Sequence, residues 1–189
     1  MASKNRFLVR NPEKGDLNQY WYSKGTIEAL VLEVVEFGGE GTAFLSTPSI
    51  YFSTPAEIRQ KCKVFDIDTA WKKDPGFVYF DFNKLDDVPA DLHGTFAMVV
   101  IDPPFIMREV WEAYAMATAA RLLLQPGGKI LATTIAENEE LMAELLDVKP
   151  CVFKPSIPHL VYQYKLYTNY DSPNLNQRNP EIPEDHDGA

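Results

Sequence analysis

An acid, two prolines and an aromatic residue stand side by side at Asp102-Pro103-Pro104-Phe105. Proline has no backbone N–H and a fixed φ angle, so the carbonyl groups of this segment are rigid acceptors with few competing donors. The Asp102 carboxylate and the Pro103 carbonyl can each accept one N–H of an incoming amine and aim its lone pair. The Phe105 ring can stack on a planar base or lie against a cation. These residue types predict a catalytic loop for a nitrogen nucleophile.

The same segment can also be a simple strand-ending turn, and its position decides between the two interpretations. The residues before it, Phe96–Ile101, are apolar on both faces, which is typical of a central parallel strand covered by helices. In open α/β sheets, ligands bind beyond the carboxyl ends of such strands. We therefore favour the catalytic interpretation.

Two further predicted strands end in residues that suit a nucleoside cofactor. The first ends at Ser46-Thr47-Pro48, whose hydroxyl groups can hydrogen-bond the amino-acid part of such a cofactor. The second ends at Asp66 and Asp68, where a carboxylate can hold both hydroxyls of a ribose. The sequence contains no G-x-G-x-x-G motif, so the main signal for a dinucleotide is missing. The alternatives are an ordinary turn and solvated acids.

Aromatic residues supply the remaining candidates. A third predicted strand ends at Asp81 and Phe82, which can hold and stack on an adenine ring. Trp21, Tyr22 and Ser23 belong to the run QYWYS ahead of the first predicted helix, and one apolar face cannot bury three successive rings. We expect some of these rings to line a cleft. A polar loop and a hydrophobic staple are the alternatives.

Hydrophobic periodicity indicates which elements position these residues. Apolar residues at helical spacing between positions 27 and 35 predict a helix that is capped by Ser23 or Thr26 and ended by Gly38. Two more helices are predicted at residues 108–125 and 137–146, the former stopped by a Pro-Gly-Gly sequence. Strands are predicted at residues 42–47, 62–67, 77–82, 96–101, 129–134, 151–154 and 162–169.

This alternation predicts a Rossmann-like α/β fold with a mostly parallel, seven-stranded sheet and one antiparallel edge region. We expect residues 1–18 to form an N-terminal arm and residues 19–171 to form one catalytic domain. Residues 172–189 are rich in Pro, Asn and acids, and we expect them to be disordered.

Composition narrows the class of protein. The 189 residues are 46% hydrophobic, which is enough for one core, and the net charge of −9 disfavours a long nucleic-acid duplex as partner. The two cysteines have no companion ligands at metal spacing, so no metal site is predicted. Because the sequence shows neither a signal peptide nor a membrane-spanning run, we expect a cytoplasmic protein with no membrane partner.

The motifs together resemble one known family. Residues 19–23, 46–51, 66–68, 79–83, 97–105 and the closing Tyr-Thr-Asn-Tyr-Asp resemble, in order, the eukaryotic elongation factor 1-alpha lysine methyltransferase 1 family, which was first labelled an N6-adenine-specific DNA methyltransferase. The resemblance covers residues 17–171. It implies an S-adenosylmethionine-dependent class I methyltransferase that releases S-adenosylhomocysteine and acts on a lysine of elongation factor 1-alpha.

The resemblance also implies roles for particular residues. Residues 102–105 would bind the amine, and the cofactor would lie among residues at the ends of the first three strands and before the first helix. We predict that the cofactor contacts are Trp21, Tyr22, Ser23, Ser46, Thr47, Pro48, Asp66, Asp68, Asp81 and Phe82. One departure is visible, because the family tends to have a basic-aromatic step after the second-strand acid and this chain has Thr69-Ala70 there.

Two other functions remain open at the level of sequence. An adenine-N6 methyltransferase acting on RNA or DNA would use the same loop to grip a planar amino group, with Phe105 stacked on the base. A non-catalytic partner subunit would keep the fold without the chemistry, although the intact Asp102 loop argues against it. We expect a monomer.

Overall fold

The structure is a computed structural model that describes residues 4–115 and 122–183. Its centre is a seven-stranded sheet with the strand order β3-β2-β1-β4-β5-β7-β6. The strands are β1 (Thr42–Leu45), β2 (Lys63–Asp66), β3 (Phe77–Tyr79), β4 (Phe96–Ile101), β5 (Leu124–Ile135), β6 (Lys149–Pro150) and β7 (Tyr164–Thr168).

The first five strands pair in parallel, and β7 runs antiparallel to both β5 and β6. The order changes direction at β1, whose neighbours are β2 on one side and β4 on the other. In such sheets the crevice for a ligand opens where two neighbouring strands send their connections to opposite faces. The predicted mostly parallel, seven-stranded sheet with an antiparallel edge region is confirmed.

Helices cover both faces of the sheet. They are α1 (Arg6–Arg10), α2 (Lys24–Phe37), α3 (Pro48–Ser53), α4 (Ala56–Arg59), α5 (Arg108–Tyr114) and α6 (Glu139–Leu146). As predicted, α2 begins at Ser23, whose side chain accepts a hydrogen bond from the Thr26 N–H, and ends at Gly38. This cap satisfies one of the free N–H groups of the first turn and fixes where the QYWYS run meets the helix.

The two central strands are buried on both faces, as the apolar run of β4 predicts. Phe44 of β1 and Val100 of β4 face α2, while Leu45 and Ile101, their neighbours in sequence, face α5. All four side chains have no exposed surface. Because alternate residues of a strand point to opposite faces, the core consists of two apolar layers that hold the strand ends rigidly in register.

One predicted boundary is wrong. The helix predicted at residues 108–125 is described as α5, Arg108–Tyr114, with further helical backbone at Ala115 and at Leu122 and Leu123; residues 116–121 lie outside the described part of the chain, and β5 already begins at Leu124. Leu124 pairs with Phe96, and the register shifts between Phe96 and Met98. The Pro-Gly-Gly sequence is therefore a break within β5 rather than a helix stop, with Gly127 at a φ of 75°.

The C-terminal segment also differs from the prediction. The strand predicted at residues 151–154 is wrong in position: the strand is β6, Lys149–Pro150, and the chain then leaves the sheet, because the Phe153 N–H bonds the Leu175 carbonyl at 2.9 Å. Residues 172–183, expected to be disordered, pack on α2, where Leu175 is 1% exposed and Ser172 donates to the Glu33 carboxylate at 2.6 Å. Residues 184–189 lie outside the described part of the chain.

Within the described residues, no helix combines the length and the apolar character that a bilayer crossing requires.

Candidate active site

A cleft of about 240 Å³ opens at the carboxyl ends of β1, β2 and β4. Its walls come from the strand ends, the N-terminal segment ahead of α2 and the connection before β7. Seven of the residues predicted for the site line it: Trp21, Ser46, Asp66, Asp102, Pro103, Pro104 and Phe105. It is also lined by Leu17, Asn18, Gln19, Tyr20, Ile67, Ile106, Met107, Ile157, Leu160, Tyr162 and Tyr164.

The predicted catalytic loop leaves β4 directly into this cleft. The Asp102 N–H donates to the Leu45 carbonyl at 3.2 Å, which continues the sheet by one residue and fixes the start of the loop. Burial raises the pKa of Asp102 to about 7, although a hydrogen bond from the Tyr22 hydroxyl acts in the opposite direction. Phe105 is 44% exposed, so its ring stands at the rim. The loop therefore presents a half-buried acid beneath an accessible aromatic ring.

The two acids after β2 have different environments. Asp66 is 5% exposed, lines the cleft and accepts the Asp68 N–H at 2.8 Å. Burial raises its pKa to about 6. Asp68 instead forms an ion pair with Lys14 at 2.6 Å, and its pKa is lowered by the hydrogen bonds from Lys14 and from the Ala70 N–H, which outweigh the desolvation. Of the two predicted ribose acids, only Asp66 is part of the cleft wall.

The chain turns sharply after β1, and the turn contains no glycine. Ser46 has a φ of 58°, a left-handed conformation that is uncommon outside glycine, and its hydroxyl lies 2.7 Å from the Tyr114 hydroxyl. Thr47 and Pro48 are buried behind it, with Pro48 in the first turn of α3. Ser46 therefore faces the cleft, whereas the predicted contacts Thr47 and Pro48 are absent from its lining.

Trp21, Tyr22 and Ser23, which precede α2, have different positions relative to the cleft. Trp21 lines the cleft and anchors the N-terminal segment, because its indole N–H donates to the Asn11 carbonyl at 3.0 Å. Tyr22 is 3% exposed and lies outside the lining, with its hydroxyl 2.6 Å from Thr133 Oγ1. Ser23 is the cap of α2 and contacts the Glu181 carboxylate. Only one of these three predicted cofactor contacts reaches the cleft surface.

The residues predicted at the end of β3 lie away from the cleft. Asp81 accepts hydrogen bonds from the N–H and the side chain of Asn83, both at 3.0 Å, and these bonds lower its pKa. Phe82 packs against Tyr114 at a ring distance of 5.9 Å. Neither residue lines the cleft.

Sequence reasoning missed part of the N-terminal segment. Asn18 donates its side-chain N–H to the Pro104 carbonyl, and Lys14 pairs with Asp68. The Gln19 side chain donates to Asp68 at 3.4 Å, while its Oε1 atom is buried and has no hydrogen-bond partner within the described residues. Residues 14–19 thus span the cleft from the second-strand acids to the catalytic loop. No local pattern marks these polar residues, because their partners are distant in sequence.

Comparison with known proteins shows the family to which the chain belongs. The family described as probable N6-adenine methyltransferase matches residues 13–172. The chain belongs to this family. It is therefore a methyltransferase, as the catalytic loop and the fold predicted, and its family match spans the whole sheet and the N-terminal segment that lines the cleft.

Named relatives support the family resemblance found in the sequence. The chain is 33% identical over 171 residues to EEF1A lysine methyltransferase 1 of Mus musculus and to that of Homo sapiens, each comparison covering 85% of this chain and 76% of the relative. The fold is similar to that of a chain in the E. cuniculi Mtq2–Trm112 complex, with a TM-score of 0.53 at 15% identity over 82% of this chain and 99% of the other. The predicted family and fold class are both confirmed.

Proposed function

We propose that this protein transfers a methyl group from S-adenosylmethionine to the ε-amine of a lysine in translation elongation factor 1-alpha. The observation that carries the proposal is the Asp102-Pro103-Pro104-Phe105 loop, which enters the cleft with its carboxylate half-buried and its ring at the rim. The named relatives at 33% identity support a protein lysine as the acceptor.

The chemistry of the cleft fits S-adenosylmethionine. The Gln19 amide gives its N–H to Asp68, which leaves the buried Oε1 as an acceptor without a donor, and the cofactor carries ammonium and amine donors. Asp66 lines the same cleft and can accept ribose hydroxyls. We assign Trp21, Ser46 and Asp66 to direct contact with the cofactor. Of the other predicted contacts, Asp68 would act through Gln19, and Phe82 through Tyr114, which bonds Ser46. We assign no direct contact to Thr47, Pro48 or Asp81.

Bound S-adenosylmethionine supplies an already activated methyl group, so the protein mainly has to position the amine. The Pro104 carbonyl is occupied by Asn18, and the Asp102 carboxylate and the Pro103 carbonyl remain as acceptors for the two N–H groups of a neutral amine. With both N–H groups held, the nitrogen lone pair points away from the loop. Asp102 and Pro103 are therefore the proposed catalytic groups.

The acceptor must lose a proton before it attacks, because a lysine amine has an ordinary pKa of about 10.4. Phe105, Met107, Tyr162 and Tyr164 line the cleft, and we propose that they form an apolar channel for the lysine stem. Removal of water from an ammonium in such a channel favours the neutral amine. These side chains would thus lower the pKa of the lysine, whose proton passes to solvent before the neutral amine reaches Asp102 and Pro103.

The remaining features of the proposal concern the whole molecule. We propose a monomer, because all residues named for the site belong to one chain, and a cytoplasmic location, because translation takes place there. We propose that residues 19–171 form the catalytic unit and that residues 14–18 complete its cleft.

The proposal is tested by mixing the purified protein and labelled S-adenosylmethionine with elongation factor 1-alpha, and separately with RNA and DNA oligonucleotides. We expect label on one lysine of the elongation factor, located by mass spectrometry. Label on adenine alone would overturn the lysine assignment in favour of the adenine-N6 alternative, to which the family description points. No cofactor binding in calorimetry would instead support a non-catalytic partner subunit.

A further inference from the structure

Two buried hydroxyl groups lie behind the Asp102 carboxylate, on the side away from the cleft. Tyr22 is 3% exposed and Thr133 is 1% exposed, and their oxygen atoms are 2.6 Å apart. The strand register places Thr133 beside Asp102, one residue after the Ile101–Ala132 pair, and the nearby Tyr22 hydroxyl lowers the pKa of the Asp102 carboxyl. Neither residue is among those that line the cleft.

When Asp102 is ionised and accepts from Tyr22, the number of protons sets the direction of both contacts. An ionised carboxylate only accepts, so Tyr22 must give its single proton to Asp102. The Tyr22 oxygen can then only accept from its other neighbour, which makes Thr133 the donor of the 2.6 Å bond. The chain runs from Thr133 through Tyr22 to the carboxylate, and no member is left without a partner.

The core holds both hydroxyls firmly. Thr133 follows Ala132, which pairs with Ile101 directly before Asp102, so β5 places it beside the catalytic loop. Tyr22 precedes the helix cap Ser23, whose N–H bonds the Ser156 carbonyl at 2.8 Å. Hydrogen bonds from rigid, buried groups keep an acceptor in one orientation, so little reorganisation energy is required during the reaction.

We propose that Tyr22 and Thr133 are positioning residues that hold the Asp102 carboxylate in the orientation required by the incoming amine, and that Tyr22 is not a cofactor contact. The inference rests on the proposed function, because it assumes that Asp102 accepts an amine N–H. It revises the role that the family resemblance implies for Tyr22.

The electrostatics of the site agree with this role. Burial raises the pKa of Asp102 to about 7, and the Tyr22 hydrogen bond limits that rise. The other titratable groups that face Asp102 are the hydroxyls of Tyr164 on β7 and Tyr114 on α5. Removing the Tyr22 hydroxyl therefore raises the pKa of Asp102 further and leaves less of the carboxylate at neutral pH.

The test is the variant Tyr22→Phe, which keeps the buried ring. The Asp102 pKa is measured without any substrate, by ¹³C NMR of aspartate-labelled protein, with the resonance assigned by its loss in Asp102→Asn. We expect the Asp102 pKa to rise by about one unit, since a hydrogen bond to a charged group contributes on that scale. With the protein substrate, the acidic limb of the kcat/KM profile moves to higher pH by the same amount.

Further variants separate positioning from general stability. Thr133→Val should shift the Asp102 pKa in the same direction by a smaller amount, and Thr133→Ser should restore it. The control is Tyr167→Phe, because the Tyr167 hydroxyl is bonded to the Ile135 carbonyl at 3.3 Å. This control should leave the Asp102 pKa unchanged.

Two results would overturn the inference. One is an Asp102 pKa that is the same in Tyr22→Phe and in the wild type. The other is a Tyr22→Phe protein that loses S-adenosylmethionine binding in calorimetry with an unshifted Asp102, which would return Tyr22 to the cofactor site. The NMR titration needs no substrate. Its result can therefore be interpreted even if elongation factor 1-alpha is not the substrate.

Discussion

The two walls of the cleft are built in different ways. The amine wall, residues 102–105, extends from the central strand β4 and is backed by the buried hydroxyls of Tyr22 and Thr133. The segment proposed to bind the ribose, called the ribose wall, is Asp66–Ile67, and it is held through the adjacent Asp68 by Lys14 and Gln19 of the N-terminal segment. One wall is thus fixed by the core, and the other by an ion pair whose lysine side chain is 37% exposed.

The difference between the two walls indicates which side of the cleft can move without loss of function. The reacting amine needs its acceptors at fixed positions, and small displacements reduce the rate strongly. A cofactor has to enter and leave, and a surface segment closed by a weak, partly exposed ion pair can open at little cost. We therefore expect changes in the amine wall to reduce kcat, and changes in the ribose wall to weaken cofactor binding.

Asp102→Ala should have the largest effect. It removes the carboxylate acceptor from the amine wall, and we expect kcat to fall by about 10³-fold, within the range for loss of a positioned acid or base. The affinity for S-adenosylmethionine, measured by calorimetry, should change little because the ribose wall is intact. The exposed Asp91→Asn variant is the control for loss of a negative charge. Unchanged turnover in Asp102→Ala would refute the role of the amine wall.

The ribose wall is tested by comparing Asp66 with the adjacent Asp68. Asp66→Asn keeps the acceptor for the Asp68 N–H but removes the charge that faces the cleft. We expect the Kd for S-adenosylmethionine to rise by about tenfold, the scale of a lost hydrogen bond to a charged group. Asp68→Asn should have a smaller effect, because Asp68 bonds Lys14 rather than lining the cleft. The reverse order would mean that Asp68 holds the ribose.

The same wall predicts a pH dependence. The Asp66 pKa is raised to about 6 by burial, so protonation removes the ribose acceptor as the pH falls through that value. Cofactor binding should weaken by about fivefold between pH 7 and pH 5, as linkage to one group of this pKa requires when its neutral form binds about tenfold more weakly. Calorimetry of Asp66→Asn over this range should give a flat profile. Asp68, with its lowered pKa, does not titrate there.

The stability of the cofactor-free protein should respond in the opposite sense. Because the Asp66 pKa is about 6 in the folded protein against an ordinary 3.8, the folded state keeps its proton longer than the unfolded chain does. The contribution of Asp66 to the free energy of unfolding therefore falls as the pH rises from 3.8 to about 6. Asp66→Asn should remove this loss, which chemical denaturation at both ends of the range can measure.

Local signals explain what the sequence could predict. The apolar run of β4, the Ser23 cap of α2 and the Asp102 loop each depend on residues that are neighbours along the chain. The position of Asp66 follows from the end of a short apolar strand in the same way. Such features survive tertiary packing, because the burial of whole strands and the capping of helices are set by residue type and spacing.

Long-range contacts explain what the sequence could not predict. The pairs Lys14–Asp68, Asn18–Pro104 and Tyr22–Thr133 are separated by 54, 86 and 111 positions, and no residue type at one end identifies its partner at the other. The packing of residues 172–183 on α2 could not be predicted for a similar reason, since Ser172 is held by its hydrogen bond to the buried Glu33. A polar composition does not reveal a distant partner.

Lys14→Gln should have the smallest effect and tests the contrast most sharply. The change breaks the ion pair with Asp68 and loosens the segment that carries Gln19, but both cleft walls keep their own side chains. We expect the Kd for S-adenosylmethionine to rise by about two- to fivefold with kcat unchanged, the range for a partly exposed pair. Added salt should shrink the difference from the wild type, because it screens that pair. Lys24→Gln, which breaks the surface pair with Glu28, is the control and should show no change. A large loss of kcat in Lys14→Gln would mean that the N-terminal segment also positions the amine wall, through the contact of Asn18 with Pro104.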